Sequence, residues 1–138
     1  MYYLDASAIL KLIVEEKETV KLERFLKGSN CTSKISRIEV MRVINRVVPE
    51  AAESAQRTLA KFDYINISES VIRIAESFLG LPSLKSLDSI HVASALSVAN
   101  EIKGIISYDK KMISNANSLG LLVHTPVWPG AINWKQLF

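Results

Sequence analysis

The sequence predicts an α/β protein, a three-layer α/β/α sandwich built around a central parallel sheet. Two observations carry this. Short apolar runs alternate along the chain with longer stretches whose apolar residues recur at helical spacing. The short runs are apolar enough to be covered on both faces, as parallel strands are. Right-handed crossovers between such strands then place helices on both sides of the sheet. At 138 residues the chain is the size of one domain, spanning 1–138, without internal repeats. A chain of about 150 residues buries roughly two-thirds of its unfolded surface, so its core needs no staples.

Taken in order, Tyr2, Tyr3 and Leu4 read as the first strand and "ASAILKLIVEE" as the helix after it. "KETVKLERFLKG" continues in helical register through Val20, Leu22, Phe25 and Leu26 and stops at Gly28. "NCTSK" is a short strand, "SRIEVMRVINRVV" a helix ending before Pro49, and "EAAESAQRTLAKF" a second helix close behind. "YINIS" alternates as a strand does. "ESVIRIAESFLG" returns to helix, with Val71, Ile74, Ala75 and Phe78 on one side and Gly80 as the stop. "LPSLKS" is a loop. "LDSIHVASALSVAN" is a long alanine-rich helix ending near Asn100, and "GIISY" a buried strand. "DKKMISNANSLG" is the last helix and "LLVHT" the last strand. The segment 125–138, with Trp128 and Trp134, receives no element; anchoring of the tail on the domain or on a second subunit is expected of the tryptophans.

Composition narrows the setting. Cys31 is alone, which excludes a disulfide framework and a cysteine-built zinc site and suits a reducing cytoplasm. No apolar run approaches the roughly 18 residues needed to span a bilayer, and the amino terminus lacks a basic stretch followed by an apolar one. The expected setting is cytoplasmic, with no membrane contact. Seventeen Lys and Arg against fourteen Asp and Glu give a net charge of +3. If several acids gather in one pocket, the remaining surface is more basic than that total, which favours an anionic partner.

Four acids stand where such a pocket would form. In open parallel sheets ligands bind outside the carboxyl ends of the strands. Asp5 ends the first strand and Asp109 follows "GIISY", so both belong on that rim. Asp88 shares a helical face with Val92, Ala95 and Ala99, a face expected against the sheet with the carboxylate on its first turn. Glu39 is bracketed by Ile38 and Val40 and shares its side with Val43. Each acid also has a purely structural explanation. Asp5 and Asp109 suit helix N-caps, Asp88 a helix start, and Glu39 an ion pair with Arg42. Together, however, clustered carboxylates are costly unless a cation sits among them. Oxygen donors without cysteine select a hard ion, Mg²⁺ or Mn²⁺. Such an ion activates a bound water and neutralises phosphate charge. On these grounds Asp5 reads as a metal ligand.

"YLDASAILKLI", "SRIEVMR", "LDSIHVASAL" and "IISYDKKM", in this order and spacing, resemble the acidic motifs of PIN domains. Within that family the likeness is to the VapC toxins of VapBC toxin–antitoxin pairs, and it runs from Tyr3 to about Val123. The resemblance implies a Rossmann-like sheet and a metal-dependent endoribonuclease, with Asp5, Glu39, Asp88 and Asp109 as its catalytic and metal-binding quartet. It also implies supporting hydroxyls at Ser7 and Ser107, a homodimer, and a VapB-like antitoxin whose carboxyl-terminal segment enters the active-site groove. On this reading Mg²⁺ is held chiefly by Asp5 and Asp88 with Asp109, while Glu39 completes the ligand set or orients the attacking water. Arg42, Arg46, Lys110 and Lys111 are the candidates for RNA backbone contacts, with solvated helix surface as the alternative.

Other chemistries fit less well. The "DSIH" stretch is no nucleophilic triad, because Asp88 and His91 are near one another on a helix while Ser89 points elsewhere; His91 is expected to be packed. His124 is expected to be structural and Cys31 a small core residue. There is no phosphate-cradling glycine loop. A haloacid-dehalogenase-like phosphatase normally carries a second acid two residues after the first, where this chain has Ser7. A catalytically silent PIN-type module that binds RNA or protein is the remaining alternative.

Overall fold

The computed structural model describes residues 1–14, 17–80 and 84–126. Five short runs pair into one sheet: β1 (Tyr3–Leu4), β2 (Cys31–Ser33), β3 (Asp63–Ile65), β4 (Ile105–Ile106) and β5 (Val123–His124). Their order is β3-β2-β1-β4-β5 and every pairing is parallel. Tyr3 lies beside Cys31 on one side and Ile105 on the other, so β1 is the central strand.

Successive residues of a strand point to opposite faces, which is why runs covered on both sides read as continuously apolar. Leu4 and Ile106 enter one core, packed with Ala8 and Ile9 of α1 (Ala6–Ile13) and Leu22 of α2 (Lys17–Phe25). Val40 and Ile44 of α3 (Ile35–Val47) and Ala55 and Leu59 of α4 (Ala52–Leu59) complete that layer. Tyr3 and Ile105 face the other way, against Ala95 of α6 (Ser86–Ser97) and Ala116 of α7 (Lys110–Ser118). α5 (Glu69–Glu76) packs on α6. The three-layer sandwich expected from the alternation is the fold observed.

The alanine-rich character of α6 has a packing cause. His91 through Ala95 are all buried, because this helix is pressed between β2 and α5. The helix is shorter than its apolar pattern suggests: it closes at Ser97, where the Val98 N–H donates to the Ala95 carbonyl and tightens the last turn. Ala99, expected on the buried face, is exposed beyond it. Gly104 is required at the entry to β4. Its φ is +156°, and a Cβ there would stand 2.7 Å from the Leu122 carbonyl oxygen of the neighbouring segment. Among the described residues no helix is long and apolar enough to cross a membrane. Most of the "LPSLKS" loop start (81–83), the Glu15–Glu16 pair and the tail residues 127–138, with both tryptophans, lie outside the described residues.

The chain runs from β1 outward to β3 and then returns to β4 on the far side of β1. That reversal opens the crevice of a doubly wound sheet at the carboxyl ends of β1 and β4. Asp5 follows β1 there, and Ser107 follows β4.

Candidate active site

Asp5 occupies the crevice floor and is 3% exposed. It is a helix cap: its Oδ1 accepts from the Ala8 N–H at 3.0 Å at the start of α1. Capping uses only part of the carboxylate. Ser7 Oγ donates to Oδ1 at 2.6 Å and Ser107 Oγ donates to Oδ2 at 2.5 Å. Both serines are in turn tied to the turn after β4, accepting from the Tyr108 N–H at 2.9 Å and the Asp109 N–H at 3.1 Å. The two hydroxyls therefore clamp Asp5 between β1 and β4. Burial pushes the Asp5 carboxyl above its ordinary range, against the lowering influence of His91 and of the Ser107, Ser7 and Ala8 hydrogen bonds.

The other acids lie around this floor. Asp109 is exposed and caps α7, its Oδ1 accepting from the Lys111 and Met112 N–H groups at 2.9 and 3.0 Å. Asp88 sits partly buried in the first turn of α6 and has no hydrogen-bond or ion-pair partner among the described residues. Its carboxyl is raised first by burial and then by the negative charge of Asp109, with further raising by Asp5 and Glu39 and a lowering influence from His91. The other three acids thus stand close enough to Asp88 for their charge to reach it. Glu39 does not pair with Arg42; its Oε1 is 2.6 Å from His91 Nε2. With Asp5 turned to its serines and Glu39 to His91, no three His, Cys, Asp or Glu side chains among the described residues are gathered tightly enough to hold an ion by direct coordination alone.

A cleft of about 750 Å³ opens beside these residues, and Asp5, itself buried, is not part of its lining. Glu39, Asp88 and Asp109 line it together with Lys85, Lys110 and Lys111. Arg42 and Arg46 are exposed on α3 but are not part of the lining. Lys85 and the half-exposed Leu87 at the start of α6 were not singled out by sequence; their signal was adjacency to Asp88. Also unforeseen is the link beneath Glu39. His91 is packed as expected, 2% exposed, but its Nδ1 stands 2.6 Å from the Tyr3 hydroxyl while its other nitrogen meets Glu39. The spacing of His91 three residues after Asp88 on one helix was the available clue.

The match to the PIN domain family covers residues 2–117. Ribonuclease VapC47 of Mycobacterium tuberculosis (strain CDC 1551 / Oshkosh) is 34% identical over 133 residues, covering 91% of this chain and 97% of that protein. Ribonuclease VapC46 of Mycobacterium tuberculosis (strain ATCC 25618 / H37Rv) is 34% identical over 126 residues, covering 90% and 96%. Two solved structures share the fold. A toxin-antitoxin complex from Klebsiella pneumoniae superposes with a TM-score of 0.73 at 21% identity, over 91% of this chain and 98% of that one. VapBC2 from Rickettsia felis, bound to a DNA fragment from its promoter, gives 0.63 at 13% identity, over 90% and 97%. With a doubly wound parallel sheet, an acid-lined crevice at its reversal point and a family match over most of its length, the chain belongs to the PIN domain family.

Proposed function

We propose that this chain is a Mg²⁺-dependent endoribonuclease, the toxin of a type II toxin–antitoxin pair, acting through Asp5, Glu39, Asp88 and Asp109. One observation carries the reading: Glu39, Asp88 and Asp109 line one cleft, where Asp88 is partly buried with no hydrogen-bond or ion-pair partner among the described residues, its carboxyl raised by burial first and then by the neighbouring carboxylates. Such an arrangement is stable at neutral pH once a cation joins it. The relatives named ribonuclease VapC support RNA as the substrate, and the Klebsiella pneumoniae neighbour supports an antitoxin partner.

The donor set fits a hard ion. All four acids offer oxygen, and His91 is engaged on Glu39. Mg²⁺ keeps several waters and takes few carboxylates directly, which suits acids that stand apart; Mn²⁺ is the natural substitute. Asp5, Asp88 and Asp109 would hold the ion, which would supply a lowered pKa for a bound water and offset phosphoryl charge. Glu39 orients the attacking water and takes up its proton. The water attacks the phosphodiester in line, leaving a 5′-phosphate and a 3′-hydroxyl. Lys85, Lys110 and Lys111 meet the RNA backbone at the cleft, and Arg42 and Arg46 extend the basic surface along α3.

The test is incubation of labelled single-stranded RNA with the purified chain, in Mg²⁺ or in EDTA, followed by end analysis. Cuts that need Mg²⁺ and leave 5′-phosphates are expected. Cuts that persist in EDTA and leave cyclic phosphates, or activity on small phosphate esters alone, would overturn the proposal.

A further inference from the structure

We infer that Tyr3 and His91 are positioning residues for Glu39, forming a buried hydrogen-bond chain that holds the Glu39 carboxylate in place and keeps the His91 proton on Nε2. The inference deepens the nuclease reading and rests on it for its kinetic arm alone.

Proton bookkeeping along the chain sets its direction. The Ser33 N–H, at the end of β2, donates to the Tyr3 hydroxyl oxygen at 3.1 Å. Tyr3 is fully buried at the centre of the sheet, and its hydroxyl, already accepting from Ser33, has its proton left to donate. That proton has His91 Nδ1 as its acceptor at 2.6 Å. Nδ1 accepting leaves the imidazole proton on Nε2, which donates to Glu39 Oε1 at 2.6 Å. The two rings meet edge to face at 5.9 Å and 77°, which fixes the imidazole plane as well as its tautomer.

The chain joins the segments that carry the acids. Tyr3 lies two residues before Asp5 on β1, His91 three residues after Asp88 on α6, and Glu39 is on α3. The placement of Glu39 relative to Asp5 and Asp88 is therefore set by one buried network. A Glu side chain has several rotatable bonds, and a misplacement of about 1 Å at a reacting group costs roughly a hundredfold in rate. His91 does not touch the reacting atoms; it acts through Glu39.

The parent chain and its His91→Leu and His91→Gln variants test this. Long-range ¹H–¹⁵N NMR on the parent at neutral pH is expected to show His91 with its proton on Nε2, a readout independent of activity. A proton on Nδ1 overturns the inference. In RNA cleavage, His91→Leu is expected to lower kcat roughly a hundredfold with KM nearly unchanged. His91→Gln, whose amide N–H can reach Glu39 from a similar place, is expected to recover at least about a tenth of the parental kcat. Thermal midpoints are measured alongside, since a merely structural role moves stability without separating Gln from Leu. Equal kcat in folded Gln and Leu variants, or parental kcat in the folded Leu variant, overturns the inference. If the parent cuts no RNA, the nuclease reading fails while the NMR signal still decides the tautomer and the chain.

Discussion

Replacing Asp5 separates its structural work from its chemistry. Asp5→Ala deletes the acceptor for the Ala8 N–H and for the Ser7 and Ser107 hydroxyls. Loss of an N-cap costs about 1 kcal/mol. Ser107 is fully buried, so its orphaned hydroxyl adds about 1–3 kcal/mol, whereas the more accessible Ser7 adds little. The total, about 2–4 kcal/mol, lowers the thermal midpoint by roughly 8–16 °C at about 4 °C per kcal/mol for a domain of this size. Asp5→Asn behaves differently. It retains the cap and the Ser7 bond, turns an amide toward a Ser107 hydroxyl that can rotate to accept, and removes a buried charge that repels Asp88. Its stability is expected to stay within about 1 kcal/mol of the parent. Its RNA cleavage is expected to fall by about a thousandfold or more, because the charge stabilisation lost is worth several kcal/mol. Circular dichroism melts beside the cleavage assay decide. Equal destabilisation by Ala and Asn refutes the cap-and-clamp reasoning, and parental cleavage by Asn refutes the ligand role.

Asp88→Asn removes a like charge without breaking a bond, so in EDTA at pH 7 it is expected to stabilise the fold by a few tenths to about 1 kcal/mol, the figure kept small by partial solvent screening. Urea melts check it, and a loss of stability would contradict the repulsion. Asp5 and Asp88 also predict a pH-dependent metal effect. Both carboxyls are raised above the ordinary value of 3.8, so their burial favours the folded state below that value and that contribution is lost as pH rises through the folded-state pKa values. On the proposed metal reading, Mg²⁺ would restore it at neutral pH, and protons would displace the ion on acidification. The Mg²⁺-induced rise in thermal midpoint is therefore expected to be largest near pH 7 and to vanish before pH falls to 3.8; an increment constant across that range would speak against it. Gly104→Ala, forcing a Cβ to 2.7 Å from the Leu122 carbonyl, is expected to cost about 2–4 kcal/mol by denaturant melts, and an unchanged midpoint would show that β5 yields easily.

What the sequence revealed and what it hid divide along range. Strand and helix identity were legible because each is written in local periodicity: Leu4 and Ile106 face one core, Tyr3 and Ile105 the other, and the continuous apolar runs follow. The rim placement of Asp5 and Asp109 was legible too, since both directly follow a strand and open a helix. Both do cap their helices, so the structural explanation is observed for each, and the proposed chemical role is one that a capping carboxylate can also fill. Helix ends were harder. Small apolar residues at 98 and 99 continue the α6 pattern, although backbone bonds close the helix at Ser97. Partners distant in sequence were hardest. Arg42 is one helical turn from Glu39 and looked like its partner, yet His91, 52 residues away, takes that role because β2 and α6 pack together. The Tyr3 hydroxyl and Lys85 were overlooked for the same reason: their importance comes from what the fold brings beside them.

Calorimetric titration of the metal-stripped chain with Mg²⁺ and with Mn²⁺, beside Asp88→Asn, tests the proposed metal site most directly. Saturable uptake by the parent and its loss in the folded variant are expected. No uptake by the parent, or undiminished uptake by Asp88→Asn, would contradict the proposed assignment of Asp5, Asp88 and Asp109 to one ion-binding centre.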